Sequence, residues 1–193
     1  MPTPFSAPGA PRPPGAGHTR AGWERRAATW LVGPHPLADW AGRFAPTPWA
    51  SAEIVRKLAS GERVRLLTSW ARHEGHARRI LKAVGARLAS VDLLRWPTDR
   101  GWTRDMGPIF VRRGRARAIA HFRFNAWAKY RNWRKDARVP GRAARWLRRP
   151  LLPVLHGERE VVLEGGAIDV NGRGTLLTTE ECLLHPRVQV RNP

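Results

Sequence analysis

The chain has 193 residues, 42% of them hydrophobic, a single cysteine and a formal net charge of +20. That length and apolar content suit one folded domain with a real core rather than a disordered chain. One cysteine excludes an internal disulfide and any multi-cysteine zinc site, and no apolar run is long enough to cross a bilayer as a helix.

Residues 1–22 hold Pro2, Pro4, Pro8, Pro11, Pro13 and Pro14 and few large apolar side chains, so they read as a disordered tail before a domain at 23–193. A secretory signal would need a basic start and then an apolar stretch, and the sequence shows neither; a cytoplasmic protein is expected. Ala27 to Val32 reads as a strand ended by Gly33-Pro34. Ala50 to Ala59 reads as a helix with Ile54, Val55 and Leu58 on one face. Arg63 to Thr68 is a strand, Arg72 to Val84 a helix carrying Ala77, Ile80, Leu81 and Val84, and Arg87 to Leu94 a strand. Pro97 to Gly107 is a polar loop. Ile109 to Arg112 and Ala116 to Phe124 are strands around a turn at Gly114, and Gly141 to Arg148 is a short helix. Val161 to Leu163, Ala167 to Val170 and Thr175 to Thr178 read as strands, with turns at Gly165-Gly166 and Asn171-Gly172. Alternating strands and helices of this kind predict a mixed α/β fold.

The charge is uneven. From Val111 to Pro150 there are fourteen Arg or Lys residues against one acid, Asp136, with Trp127, Tyr130, Trp133 and Trp146 among them. Basic and aromatic side chains together fit a nucleic-acid surface. However, only four of the 35 basic residues in the chain are Lys, and no nucleic-acid motif accompanies the run. An arginine-biased, solvated surface accounts for it more simply.

Three segments can carry chemistry. In Pro97 to Pro108, Trp102 offers a flat ring and Asp105 two acceptor oxygens; together they suit a planar cation, which a carboxylate can pair with in its plane and a ring can cover. The plainer alternative is a turn closed by Asp105, with an Arg104–Asp99 surface pair and Trp102 in the core. In Leu163-Glu164-Gly165-Gly166 a carboxylate stands beside two glycines that let backbone approach a ligand closely, or merely form a turn. Asn125 and Trp127 of Phe124 to Tyr130 either line a pocket or pack structurally. His73 and His76 share a helix face, but no third ligand is spaced to complete a metal site, and a solvated first turn accounts for them. Cys182, preceded by two acids and followed by two leucines, reads as a protonated, buried structural residue rather than a nucleophile. No phosphate-binding glycine loop is present.

Taken together, these segments resemble the agmatine deiminases and the bacterial peptidyl-arginine deiminases that share their family. The resemblance runs through Trp23-Glu24, Ala28-Thr29-Trp30-Leu31, Pro34-His35-Pro36 and Asp39-Trp40. It continues through Trp102-Thr103-Arg104-Asp105-Met106-Gly107-Pro108, Phe124 to Tyr130 and Leu163 to Ala167, and ends with Gly174 to Leu184. It implies a pentein-like, five-bladed α/β propeller of ββαβ units, of which residues 23–193 form roughly the N-terminal half. It further implies a hydrolase that deiminates a guanidino group without metal or organic cofactor. The substrate is agmatine, giving N-carbamoylputrescine and ammonia in putrescine biosynthesis, or an arginine residue, giving citrulline. By the same resemblance Asp105 accepts guanidinium N–H groups as a catalytic and binding residue, Trp102 walls the site and Glu164 lies in the same pocket. The family's histidine, in an H-x-D motif, and its nucleophilic cysteine fall downstream of the matched segments. The expectation is therefore a chain carrying part of the binding half without the reacting half, inactive alone and with exposed strand edges.

Overall fold

The computed structural model describes residues 19–192 apart from Pro36 and Ala41, and the side chains of Leu37 and Ala38 are likewise outside the description. Most of the expected tail, and Pro36 of the Pro34-His35-Pro36 segment, lie outside the described residues. Residues 19–22 are described, and Ala21 among them is buried.

The N-terminal part is a parallel three-stranded sheet in the order β1 (Ala28–Val32), β2 (Arg63–Thr68), β3 (Val91–Arg95). The register places Trp30 beside Arg65, Val32 beside Leu67 and Leu66 beside Leu93. Helices α1 (Thr47–Ala59) and α2 (Ala71–Ala83) form the two crossovers and pack against each other. Pro48 sits in the first turn of α1, where its fixed φ and missing N–H cost nothing. Helix α2 stops at Gly85 (φ +71°), with Gly85 N–H donating to the Lys82 carbonyl and Ala86 N–H to that of Leu81.

Strand alternation then assigns the two faces of β2. Val64 and Leu66 point into a core made by Ala52, Val55 and Ala59 of α1 and Ile80 and Leu81 of α2. Ala77 and Val84 flank that core, as the periodicity of α2 predicts. In α1 the buried stripe is Ala52, Val55 and Ala59 with Leu58 at its edge, and Ile54 is exposed; the small alanines face the partner helix. Leu67 points to the other face and meets Val32, Met106, Phe124, Ala126 and Val139.

On that second face lies an antiparallel hairpin, β4 (Ile109–Arg113) and β5 (Ala116–His121), turning at Gly114 (φ +56°). Between it and the first unit lies the short helix α3 (Thr103–Met106). Helix α4 (Val139–Leu147) crosses from β5 to the parallel strand β6 (Leu151–Pro153), so β4-β5-α4-β6 is one ββαβ unit. A two-residue hairpin follows, β7 (Leu155–His156) and β8 (Arg159–Glu160). The last elements are the antiparallel pair β9 (Ile168–Val170) and β10 (Leu176–Thr178) and helix α5 (Glu180–Leu184). The molecule is thus mixed α/β, and among the described residues no helix is long and apolar enough to cross a membrane.

Several local expectations need correction. The loop after β3 contains α3, and the expected strand from Arg87 begins as a 3₁₀ turn at Leu88–Ser90. Strand β5 ends at His121 rather than Phe124. Val161 to Leu163 makes only an isolated parallel bridge, Arg123 with Val162, held by Arg123 N–H to the Val161 carbonyl and Leu163 N–H to the Arg123 carbonyl. Strands β6, β7 and β8 and helix α5 were not expected.

Candidate functional site

The loop Pro97 to Gly107 leaves the carboxyl end of β3, where open α/β sheets gather ligand-binding residues. Within it the Trp102 carbonyl accepts the N–H groups of Asp105 and Met106 and so starts α3. Met106 turns into the core beside Leu67, while Asp105, one residue earlier, lies against Gly166. Against this helix packs the 3₁₀ turn Gly165–Ala167. A Cβ at Gly165 would fall on the Arg104 carbonyl oxygen and one at Gly166 on Asp105 Oδ1, so both glycines are there for close approach. Asp105 accepts the Gly166 N–H. Glu164, immediately before these glycines, is 1% exposed and adjoins Asp105.

The structure therefore brings Asp105 and Glu164 together. Burial first, and the Glu164 charge second, push the Asp105 carboxyl above its usual range. Glu164 is paired with Arg191, whose Nε lies 2.8 and 2.9 Å from its two carboxylate oxygens. Two carboxylates therefore meet in a partly dehydrated place, Glu164 engaged by Arg191 and Asp105 within reach of the Arg104 and Arg191 charges. A compact planar cation is the complementary ligand. Trp102 is 52% exposed, so its ring is available to cover such a ligand rather than spent in the core. The alternative Arg104–Asp99 pair is not formed: Arg104 donates to the Ile168 carbonyl, and Asp99 pairs with Lys135.

Two residues beyond those singled out from the sequence hold the loop. Asp136 is fully buried; its Oδ1 accepts the N–H groups of Asp99 (2.6 Å) and Arg100 (3.3 Å), and its Oδ2 has no partner. Desolvation raises its carboxyl to about 7. Its position as the lone acid in a basic run was the signal that could have found it. Arg100 donates to Asp39 Oδ1 (2.6 Å) and Asn132 Oδ1 (3.0 Å) and lies 3.7 Å over the Tyr130 ring. It ties the loop to the Leu37–Trp40 turn and to the segment after Phe124. Neither Arg100 nor Arg191 stands out by composition among so many arginines.

Asn125 and Trp127 do structural work. Asn125 Oδ1 accepts the Ala128 N–H, and Ala126, Trp127 and Ala128 all take positive φ (51°, 60° and 52°), an uncommon turn for non-glycine residues. It buries Ala126 and packs Trp127 edge-on to Phe124. His73 is buried rather than solvated: its Nδ1 accepts the Ser69 N–H, and burial, with His35 and His76 nearby, lowers it to about 4. His76 is exposed, and among the described residues no group of three His, Cys, Asp or Glu is placed to hold a metal. Cys182 is half-buried on α5, not fully buried as expected, with its N–H on Thr179 Oγ1.

Comparison with known proteins gives a consistent result. Residues 18–193 match the model of the Porphyromonas-type peptidyl-arginine deiminase family. The agmatine deiminase of Ectopseudomonas mendocina is 35% identical over 186 residues, covering 91% of this chain and 46% of that protein. That of Pseudomonas fluorescens is 33% identical over 183 residues, with the same shares. Among solved structures, the agmatine deiminase of Enterococcus faecalis superposes with a TM-score of 0.78 at 23% identity, over 90% of this chain and 46% of its own. A substrate-bound agmatine deiminase of C. jejuni gives 0.75 at 24%, over 90% and 48%. The chain thus spans about half the length of the relatives it matches.

Proposed function

Because the chain belongs to the Porphyromonas-type peptidyl-arginine deiminase family, we propose that it supplies the carboxylate side of a guanidine-deiminating hydrolase site. The observation that carries this reading is the adjacency of Asp105 and Glu164, with Glu164 already paired to Arg191 and Asp105 in no ion pair among the described residues. A guanidinium is always ionised near neutral pH and offers a planar fork of N–H donors. Asp105 accepts that fork and fixes the plane of the cation, and the Trp102 ring covers one face. Glu164 supplies the second negative charge, which favours the guanidinium over the neutral ureido group that replaces it.

Agmatine is the proposed ligand, since the relatives named above are agmatine deiminases; a peptidyl arginine is the second member of the same chemical class. The reaction consumes water and yields a ureido group and ammonia. It requires a nucleophile for the guanidinium carbon and an acid–base group for the leaving ammonia, and no residue among these 193 is assigned either role. The propeller architecture of ββαβ units is likewise a proposal, supported by the β4-β5-α4-β6 unit.

Calorimetric titration tests the reading. Agmatine is expected to bind the 193-residue chain saturably without ammonia release, with Asp105→Asn weakening binding about tenfold or more. Because the Asp105 carboxyl is held above its usual range, binding is expected to fade as pH falls through that raised range, where the acceptor takes a proton. Unchanged affinity in Asp105→Asn would remove Asp105 from the site.

A further inference from the structure

Glu164 and Arg191 form the most buried ion pair among the described residues, with side chains only 1% and 7% exposed. Guanidine deimination does not by itself require a resident guanidinium in a site meant for another. Arg191 is not a loose occupant. Its Nε spans both Glu164 oxygens, and its Nη1 donates to the Gln189 carbonyl at 3.1 Å. The next residue, Asn192, grips Val162 at both backbone groups: Val162 N–H donates to Asn192 Oδ1 at 2.8 Å, and Asn192 Nδ2 donates to the Val162 carbonyl at 2.9 Å. The same Nδ2 donates to the Leu183 carbonyl at 3.1 Å. The segment bearing Arg191 is thus bolted to the segment bearing Glu164.

The charges facing the pair can be counted. Asp105 contributes one negative charge and Glu164 another; Arg191 contributes a positive charge in contact with Glu164, and Arg104, exposed and donating to the Ile168 carbonyl, adds its charge near Asp105. A bare buried carboxylate beside a second one is costly and takes up a proton instead. Without Arg191 the site would hold two carboxylates sharing a proton, a titrating pair rather than a fixed charge.

We infer that Arg191 is a positioning residue of the guanidinium site: its anchored guanidinium fixes Glu164 in place and occupies one of its edges, so that Asp105 beside it keeps its carboxylate oxygens free to accept the incoming cation. This inference rests on the reading of Asp105 and Glu164 given above. It also divides their labour: Glu164 is already engaged along one edge, so Asp105 is the carboxylate free to take the fork of the ligand.

The test titrates agmatine into the 193-residue chain and its Arg191→Gln, Arg191→Lys and Asp105→Asn variants from about pH 6 to about pH 9. Arg191→Gln is expected to lower affinity about tenfold or more near pH 7 and to recover as pH rises. Arg191→Lys, which keeps the cation, is expected to retain the pH profile of the parent chain. Arg191→Gln binding like the parent at every pH overturns the inference, as does a folded Arg191→Lys that binds as weakly as the glutamine variant. Should Arg191→Gln fail to fold, the lysine variant alone decides in the same terms. If the parent does not bind agmatine, or Asp105→Asn binds equally well, the guanidinium reading is at fault. Arg191 is then judged without ligand by infrared spectroscopy. Beside the Asp136 band that all these chains carry, a second protonated-carboxyl band near pH 7 is expected in Arg191→Gln, absent from the parent and from Arg191→Lys and lost in Arg191→Gln/Glu164→Gln. No such band overturns the role assigned to Arg191.

Discussion

Asp136 and His73 give the molecule two opposed responses to pH. Asp136 stands at about 7 in the folded chain against an ordinary 3.8. Between those values the folded state binds more protons than the unfolded one, so this group makes stability fall as pH rises from about 4 to about 7. His73, at about 4 against 6.5, does the reverse: its contribution is complete above 6.5 and is lost as pH falls towards 4. The two slopes overlap and largely offset each other. Asp136→Asn keeps the Oδ1 acceptor for Asp99 and Arg100 but leaves a buried amide N–H group unpartnered. It is expected to gain on the order of 1–2 kcal/mol above pH 8 and to lose stability on acidification more steeply than the parent. Urea unfolding across that pH range measures both effects. In the sequence Asp136 was visible only as an isolated acid, and His73 only as half of a helical pair. What determines their behaviour is removal from water, and that depends on elements up to 40 residues away. Asp105, Trp102 and Glu164 were singled out because neighbours of fixed type accompany them; composition alone left a plain turn open for each, and what the structure adds is that the two glycines let α3 approach and bring Asp105 beside Glu164.

At the scale of elements, the first unit was legible because its helices and strands are long enough to show their period, and its turns carry Gly33-Pro34 and Gly85. Helix α3 was not, since four residues show no period and a carbonyl of Trp102 is what organises them. Strand β6 owes its existence to β5, some thirty residues earlier, and its own sequence, Leu-Leu-Pro, gives no alternation. What joins these elements around the site is Arg100. The Asp39 side chain is 7% exposed and its Oδ2 already lacks a partner. Arg100→Ala would strip its only ion-pair partner among the described residues and is expected to cost about 3–5 kcal/mol in thermal or urea unfolding. Arg100→Lys is expected to recover only part of this, because an ammonium cannot serve Asp39 and Asn132 while stacking on Tyr130.

Across the whole molecule, order is unevenly supported. Strand β2 is the middle of its sheet and is covered on both faces. Strands β6 and β10 expose every residue, and Leu152, Leu155, Leu176, Leu177, Leu184 and Val188 lie open, Leu177 at 68%. Amide hydrogen exchange is expected to show β2 protected to the limit of global unfolding and β9, β10 and α5 exchanging orders of magnitude faster. Uniform protection would show that the C-terminal elements share the cooperative core.

The ring cluster at the junction of the two units has an optical consequence. Trp30 and Trp96 belong to the first sheet and its exit, Trp146 to α4; their centroids lie 5.6 to 6.2 Å apart, and Arg65 points its guanidinium at Trp30 and Trp146 from about 5 Å. Indoles this close share their excited states, and a neighbouring cation shifts their emission. The chain therefore carries its own chromophore at the seam, one whose near-ultraviolet circular dichroism registers whether α4 is seated on the first sheet.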